Sequence, residues 1–190
     1  MILILLAASA CDSSDPASTS DDDDVDVDDG AYSCTAPSPD DLSVGESKVV
    51  FDYADFQGDD DISGDYTGRA LFGTVFESNT EYSTLYLPEG DGSTRNLTIY
   101  NEATYVPDGI LEEGTRVIDA TSAPDFRAYL YVDRGNISER NGGFGTLTVS
   151  SVERNVATGT FEFGDSFSAF CGAFKAEVSA DLDPAGFDPF

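Results

Sequence analysis

The feature that most constrains the fold is a two-residue alternation of apolar and polar side chains within short segments. Leu147 and Val149 alternate with hydroxyl side chains, and Phe161 and Phe163 alternate with Thr and Glu. Successive side chains of a β-strand point to opposite faces of the sheet, so a period of two is the period of a strand. The pattern predicts an antiparallel sheet with one solvated face.

Nine such segments are predicted to be strands, because they are rich in Val, Phe, Tyr and Thr and are separated by Gly, Asp, Asn and Pro. Glu153-Arg154-Asn155 is the predicted turn of a hairpin between two of them. Many short strands indicate an all-β fold, a single antiparallel β-sandwich or a barrel-like relative of it. The nine segments are residues 49–53, 70–76, 82–87, 96–100, 116–120, 127–132, 146–152, 158–163 and 172–179.

The ends of the chain have a different composition, which sets the expected domain boundaries. Residues 12–30 are mostly Asp, Ser, Ala, Thr and Pro and close with an aspartate-rich stretch, residues 21–30, and like charges extend such a segment. We therefore expect a disordered acidic tether over residues 11–42, the all-β domain over residues 43–182 and a tail over residues 183–190.

The amino terminus has the character of an export signal. Residues 2–10 are a short apolar run that ends in small residues and is too short to span a bilayer, which needs about 20 apolar residues. Leu6-Ala7-Ala8-Ser9-Ala10-Cys11 resembles the lipobox of bacterial lipoproteins. The resemblance implies that residues 1–10 are removed as a signal peptide and that Cys11 carries the lipid that holds the protein to a membrane. A plain secretory signal followed by a coincidental cysteine is the alternative.

The carboxyl-terminal third resembles a second group of proteins. Gly145-Thr146-Leu147-Thr148-Val149, Thr158-Gly159-Thr160-Phe161-Glu162-Phe163 and Cys171-Gly172-Ala173-Phe174 are similar to strands of small Bacteroidetes-type lipoproteins of unknown function, the DUF6252-like group. That resemblance implies a lipid-anchored β domain and no particular activity. The acidic stretch after Cys11 also resembles the surface-export signal of Bacteroidetes lipoproteins, which implies the outer membrane or cell surface as the location.

The charge excludes whole classes of partner. The chain has 37 acidic and 9 basic residues, for a net charge of −28. Binding to nucleic acid or to anionic lipid headgroups requires a basic surface, so neither is expected. A high acid content with little lysine is also typical of proteins from salt-rich environments, where salt screens the self-repulsion of the chain.

The absence of histidine from the whole sequence removes most familiar catalytic sites. Nucleophiles activated by histidine, the usual catalytic zinc sites and the iron site of two histidines and a carboxylate all require it. No serine lies in a nucleophile motif, so we do not expect an enzyme. A small carboxylate- or calcium-dependent hydrolase that acts on an extracellular polymer is the alternative, since glycoside hydrolysis needs only two suitably spaced carboxylates.

Three sets of residues are candidates for sites or links. Cys34 and Cys171 are predicted to form a disulfide, because two cysteines in an exported domain tend to pair. Asp59, Asp61, Ser63 and Asp65 match the first half of a calcium-binding loop, although the acidic residue that should close such a loop is replaced by Ala70. No other cofactor is expected.

Tyrosines form the third candidate set. Tyr82 and Tyr86 are predicted to share one face of a strand, as are Tyr129 and Tyr131 of another. Rows of aromatic rings either stack on sugars or peptides or pair across strands at the edge of a core. The sequence thus favours a lipid-anchored binding or structural module of the cell envelope, with a glycan or another envelope protein as its partner.

Overall fold

The computed structural model describes residues 34–54, 61–77, 80–90, 95–102, 112–119, 125–133 and 138–178, all within one compact unit. Apart from one turn of 3₁₀ helix at Pro39–Asp41, its regular structure is β-strand. None of its helices is long and apolar enough to cross a membrane. The strands are β1 (Glu46–Ala54), β2 (Asp61–Arg69), β3 (Leu71–Glu77), β4 (Thr80–Pro88), β5 (Arg95–Glu102), β6 (Gly114–Ile118), β7 (Arg127–Asp133), β8 (Ser138–Gly142), β9 (Phe144–Glu153), β10 (Val156–Asp165) and β11 (Ser168–Val178).

The strands form two layers of one continuous hydrogen-bonded sheet. The first layer has the order β2-β1-β11-β10-β9-β6, and the second has the order β3-β4-β5-β7-β8. The layers join where β11 pairs with β3 at Glu177 and Val178. They also meet at a parallel bridge between Ile118, at the end of β6, and Phe126, just before β7. The all-β, sandwich-like fold predicted from the alternation is confirmed.

Two details of that prediction are corrected. The described residues contain eleven strands rather than nine, because β2 and β8 were not predicted. Their sequences, rich in Gly, Asp, Ser and Asn, have a low intrinsic preference for strands, and pairing with β1 and β7 outweighs it. The sheet is mixed rather than antiparallel, since the pairing of β11 with β3 is parallel.

The predicted hairpin turn after Glu153 is confirmed. Glu153 pairs with Val156, and Arg154 and Asn155 both have positive φ, at 50° and 64°. Two consecutive residues of this kind form the turn whose twist matches that of the two flanking strands. The turn therefore fixes the register of β9 and β10 as far as the β-bulge between Thr158 and Gly159, where it shifts by one residue.

One hydrophobic core lies between the layers and contains side chains from both. The hydroxyl group of Tyr66 in β2 crosses the core and donates a hydrogen bond of 2.6 Å to the carbonyl oxygen of Leu87 in β4. The Arg95 guanidinium of β5 lies over the ring of Phe51 in β1, 4.5 Å from its centroid. These polar links supplement the apolar contact, which supplies most of the stabilisation.

Within the first layer, phenylalanine rings pack over glycines of the neighbouring strand. Phe161 and Gly172 are register partners in β10 and β11, and so are Gly159 and Phe174. A Cβ atom added at Gly159 would lie 2.7 Å from Cζ of Phe174, and one at Gly172 would overlap the ring of Phe161. Each glycine therefore provides the space that the opposite ring occupies, an arrangement known as aromatic rescue of glycine.

A segment before β1, residues 34–45, covers the outer face of β11 and is named the strap here. Cys34, at its start, forms a disulfide with Cys171 across a sequence separation of 137 residues, as predicted, with 6.1 Å between the Cα atoms. Near its other end, Lys175 Nζ donates to the carbonyl oxygen of Leu42 at 2.7 Å. Cys171 and Ala173 point away from the core yet are fully buried, since the strap lies over them. The strap includes residues 34–42, which composition alone places in the tether.

Replacing Gly172 with alanine should lower the free energy of unfolding by about 1–3 kcal/mol, the usual cost of overpacking. The added methyl group meets both the Phe161 ring and the backbone carbonyl of Lys48, which cannot move without breaking the sheet. Gly64→Ala is the matched control, because its methyl group would meet only the ring of Phe51, at 3.0 Å. Urea unfolding of both variants checks the order, and an equal loss in the two would contradict it.

The stability of the fold should fall above about pH 10, the ordinary range of tyrosine ionisation. Burial raises the pKa of Tyr66 well above 10.0, an effect that Arg95 opposes and Glu89 reinforces. Below pH 10 both folded and unfolded chains hold the proton, and the contribution of Tyr66 is complete. At higher pH the unfolded chain releases the proton first, so stability is lost as the pH rises toward the folded pKa.

Tyr66→Phe isolates this effect from the other groups that titrate at high pH. At neutral pH the variant should lose about 1 kcal/mol, because the Leu87 carbonyl loses its donor. Above about pH 10 its free energy of unfolding should fall less steeply than that of the native protein. Urea unfolding at several pH values measures both slopes, and parallel slopes would refute the assignment.

Candidate functional site

The outer face of the second layer, which points away from the core, carries a tyrosine on each of three adjacent strands. It follows from the two-residue period: Leu85 and Leu87 of β4 point into the core, so the residues between and beside them point outward. The same rule applies to β5, where Leu97 and Ile99 point inward. We name this surface the tyrosine face, and it consists of Tyr82, Tyr86, Tyr100, Tyr129 and Tyr131.

The strand register brings these tyrosines together. Tyr86 of β4 and Tyr129 of β7 flank Thr98 of β5 in one row across the sheet. Tyr100 lies in the next row, between Thr84 and Arg127. Rows on one face of a sheet are about 7 Å apart, within the reach of aromatic side chains. The five rings therefore form one surface rather than two separate pairs.

Two ring contacts define a diagonal line across the three strands. The ring centroids of Tyr82 and Tyr100 are 5.6 Å apart, with the rings nearly perpendicular at 88°. Those of Tyr100 and Tyr129 are 6.1 Å apart, at an interplanar angle of 30°. Both separations lie in the range that aromatic pairs favour. The contacts hold the central ring, Tyr100, in a defined orientation.

The threonines that lie between the tyrosines on this face are buried beneath the aromatic rings. Thr84 and Thr98 point outward but are 0% and 5% exposed, and their neighbours on this face are tyrosines. Tyr100 is itself 3% exposed, whereas Tyr82, Tyr86, Tyr129 and Tyr131 are half-buried. The face is thus a layer of packed aromatic side chains with four rings at its surface.

Basic residues lie beside this face in a chain that has few of them. Arg127 is in the same row as Tyr100. Partial burial raises the pKa of Tyr86, and the positive charge of Arg69 opposes the rise. The Tyr86 hydroxyl is therefore neutral at physiological pH and can both donate and accept a hydrogen bond. Half-buried aromatic rings beside guanidinium groups suit a ligand that offers both apolar faces and hydroxyl groups.

Sequence reasoning predicted the two outer pairs of this site and missed its centre. Tyr82 with Tyr86, and Tyr129 with Tyr131, do share strand faces as predicted. Tyr100 was not singled out, although Thr98 and Tyr100 alternate with Leu97 and Ile99 in the printed sequence. That alternation was the available signal. The proximity of the two pairs depends on which strands are neighbours, and composition does not show that.

The residues of the predicted calcium loop lie elsewhere. Asp61, Ser63 and Asp65 belong to β2, an extended strand in which they are alternate residues. Asp65 forms an ion pair with Lys48 at 2.9 Å, and both side chains are exposed. Asp59 lies outside the described residues. Within the part of the chain that the structure describes, no group of three or more His, Cys, Asp or Glu side chains could hold a metal ion, and the calcium site stays a prediction.

Cys34 and Cys171 are joined on the outer face of the first layer, away from the tyrosine face. Cys11, the predicted lipid site, lies outside the described residues. Comparison with protein-family models, with curated proteins and with solved structures finds no match to this chain. The resemblance to lipoproteins therefore rests on the residues quoted for it.

Proposed function

We propose that this chain is a lipid-anchored protein of the cell envelope whose tyrosine face binds a neutral polysaccharide outside the cytoplasm. The observation that carries the proposal is the tyrosine face, on which the half-buried rings of Tyr82 and Tyr129 contact the buried ring of Tyr100 and two more tyrosines lie beside them. Sugar rings present axial C–H groups that pack on aromatic faces, and tyrosine adds a hydroxyl group at the edge of the contact. The ring contacts fix the site before the ligand arrives, which lowers the entropic cost of binding.

The charge of the protein favours a neutral polymer. At −28 the chain repels polyanions, and this repulsion is long-ranged at low ionic strength. A neutral glycan avoids that penalty. Arg127, in the same row as Tyr100, places a guanidinium group beside the face that can donate to sugar hydroxyls.

The point where the chain enters the domain fits display from a membrane. Cys34 is fixed to the outer face of the first layer by its disulfide, whereas the tyrosine face is the outer face of the second layer. The entry point and the proposed binding surface therefore lie on opposite faces of the sandwich. The strap and its disulfide therefore leave the tyrosine face uncovered.

Glycan binding can be tested with hexasaccharides of β-1,4-glucose, β-1,3-glucose and β-1,4-xylose. At least one should bind, and Tyr129→Ala should weaken that binding by about five- to tenfold through loss of a stacking ring. Because the protein has no tryptophan, tyrosine fluorescence reports the titration directly. Phe144→Ala, in the first layer, is the control and should leave the affinity unchanged.

Two results would contradict this function. One is the absence of binding to all three hexasaccharides, and the other is binding that Tyr129→Ala leaves intact. Assay of the same mixtures for newly formed reducing ends tests the alternative of a small hydrolase, which would shorten the oligosaccharides. A binding module leaves them whole.

The anchor is tested by the intact mass of the mature protein from its native membrane. We expect a chain that begins at Cys11, lacks residues 1–10 and carries acyl chains, because more than one chain is needed for stable anchoring. Reduction should add the mass of two hydrogen atoms for the bond between Cys34 and Cys171. An unacylated chain that begins at another residue would rule out the lipoprotein and leave a secreted binding domain.

A further inference from the structure

A groove of about 400 Å³ opens on the outer face of the first layer, beside the start of the strap. We name it the Phe144 groove. It is separate from the tyrosine face, which belongs to the second layer. The residues that matter for its chemistry are Cys34, Phe144, Thr146, Glu162, Gly164 and Asp165.

Small residues on the strand surface create the groove. Gly164 of β10 pairs with Phe144 of β9 on one side and with Ala169 of β11 on the other. A glycine and an alanine at adjacent outward positions leave a depression between the larger side chains around them. Cys34 forms another wall and is held there by its disulfide to Cys171, so the groove exists without a ligand.

One wall of the groove is apolar and exposed to solvent. Phe144 is 55% exposed, and Val117, the register partner of the groove residue Thr146, is 54% exposed. They are two of only four large apolar side chains this exposed in the part of the chain that the structure describes. Adjacent exposed apolar side chains mark surfaces that contact a partner more often than isolated ones do.

One polar wall of the groove is acidic, at Glu162 on the outer face of β10. Asp165 Oδ1 accepts hydrogen bonds of 2.8 Å from the backbone N–H of Phe167 and from the hydroxyl group of Ser168, which is 4% exposed. These bonds hold the Asp165 carboxylate against the turn between β10 and β11, whereas the Glu162 side chain points to the outer face. The carboxylate of Glu162 makes no hydrogen bond or ion pair with any described residue. The described lining contains neither lysine nor arginine, so the potential in the groove is negative.

We propose that the Phe144 groove binds a basic side chain, lysine or arginine, of an extended segment of a partner polypeptide. The aliphatic stem packs on Phe144, and the charged end reaches the carboxylate of Glu162. Basic side chains bury their stems on apolar surface while the charged end stays with polar groups, which matches one apolar and one acidic wall. A hydrated metal ion would gain no stabilisation from the apolar surface of Phe144. A second copy of this chain, with a net charge of −28, would be repelled.

The test is a ¹⁵N NMR titration of the disulfide-bonded chain with the blocked tripeptide acetyl-Gly-Lys-Gly-amide. Amide shifts should map to Thr146, Glu162, Gly164 and Ala169, and the norleucine analogue, which keeps the stem without the charge, should bind much more weakly. Glu162→Gln should weaken binding about two- to fivefold, the usual range for an exposed ion pair. Phe144→Ala should also weaken it, whereas Tyr129→Ala on the second layer should not.

Glu153→Gln is the matched control, because it removes one exposed acidic charge from the opposite end of β9. A loss of affinity equal to that of Glu162→Gln would show attraction to the whole acidic domain and overturn the proposal. If the norleucine analogue bound as tightly as the lysine tripeptide, the charge would have no role in binding. If cadaverine, a free diamine, bound as tightly as the tripeptide, the groove would not recognise a polypeptide. Shifts confined to the tyrosine face would also overturn it, and none of these outcomes bears on glycan binding.

Discussion

Phe161 and Phe174 lie across the β10–β11 hairpin, each over the glycine of the opposite strand, and the rest of the first layer depends on this packing. β11 pairs with β10 along its length, with β1 over Ser168–Phe174 and with β3 at its end. A strand with three partners cannot shift its register without disturbing all of them, since a slip of one residue reverses every side chain. The ring-over-glycine pairs fix that register, because a ring fits only opposite the position that lacks a side chain.

Both faces of β11 are buried, one by the core and the other by the strap, which is joined to β11 by the disulfide between Cys34 and Cys171. The inward side chains, Phe170 and Phe174, face the core, whereas the outward ones, Cys171 and Ala173, are small and lie under the strap. Small outward residues allow the strap to approach the sheet closely. The disulfide then closes a long loop, which in the chain-entropy account stabilises the fold by about 4–5 kcal/mol. The disulfide that holds Cys34 in place therefore also stabilises β11, the central strand of the first layer.

The sequence predicts more of this architecture than of its sites. Alternation identifies β9, β10 and β11 because their inward residues are large and apolar, and the hairpin turn at Arg154 follows from local chemistry alone. It fails for β2, whose inward Gly64 lacks a side chain because the ring of Phe51 occupies the space. The parallel pairing of β11 with β3, the assembly of the tyrosine face and the Phe144 groove all depend on which distant strands become neighbours, which no local pattern records.

The two surfaces differ in their relation to the point where the chain enters the domain. Cys34 is itself a wall of the Phe144 groove, so a partner held there lies next to the start of the strap. The tyrosine face belongs to the other layer, with the whole core between it and that segment. The groove proposed for a basic side chain therefore lies beside the strap, and the surface proposed for a neutral glycan lies on the other layer. The disulfide separates the two surfaces, because it holds Cys34 and the start of the strap on the first layer, beside the Phe144 groove.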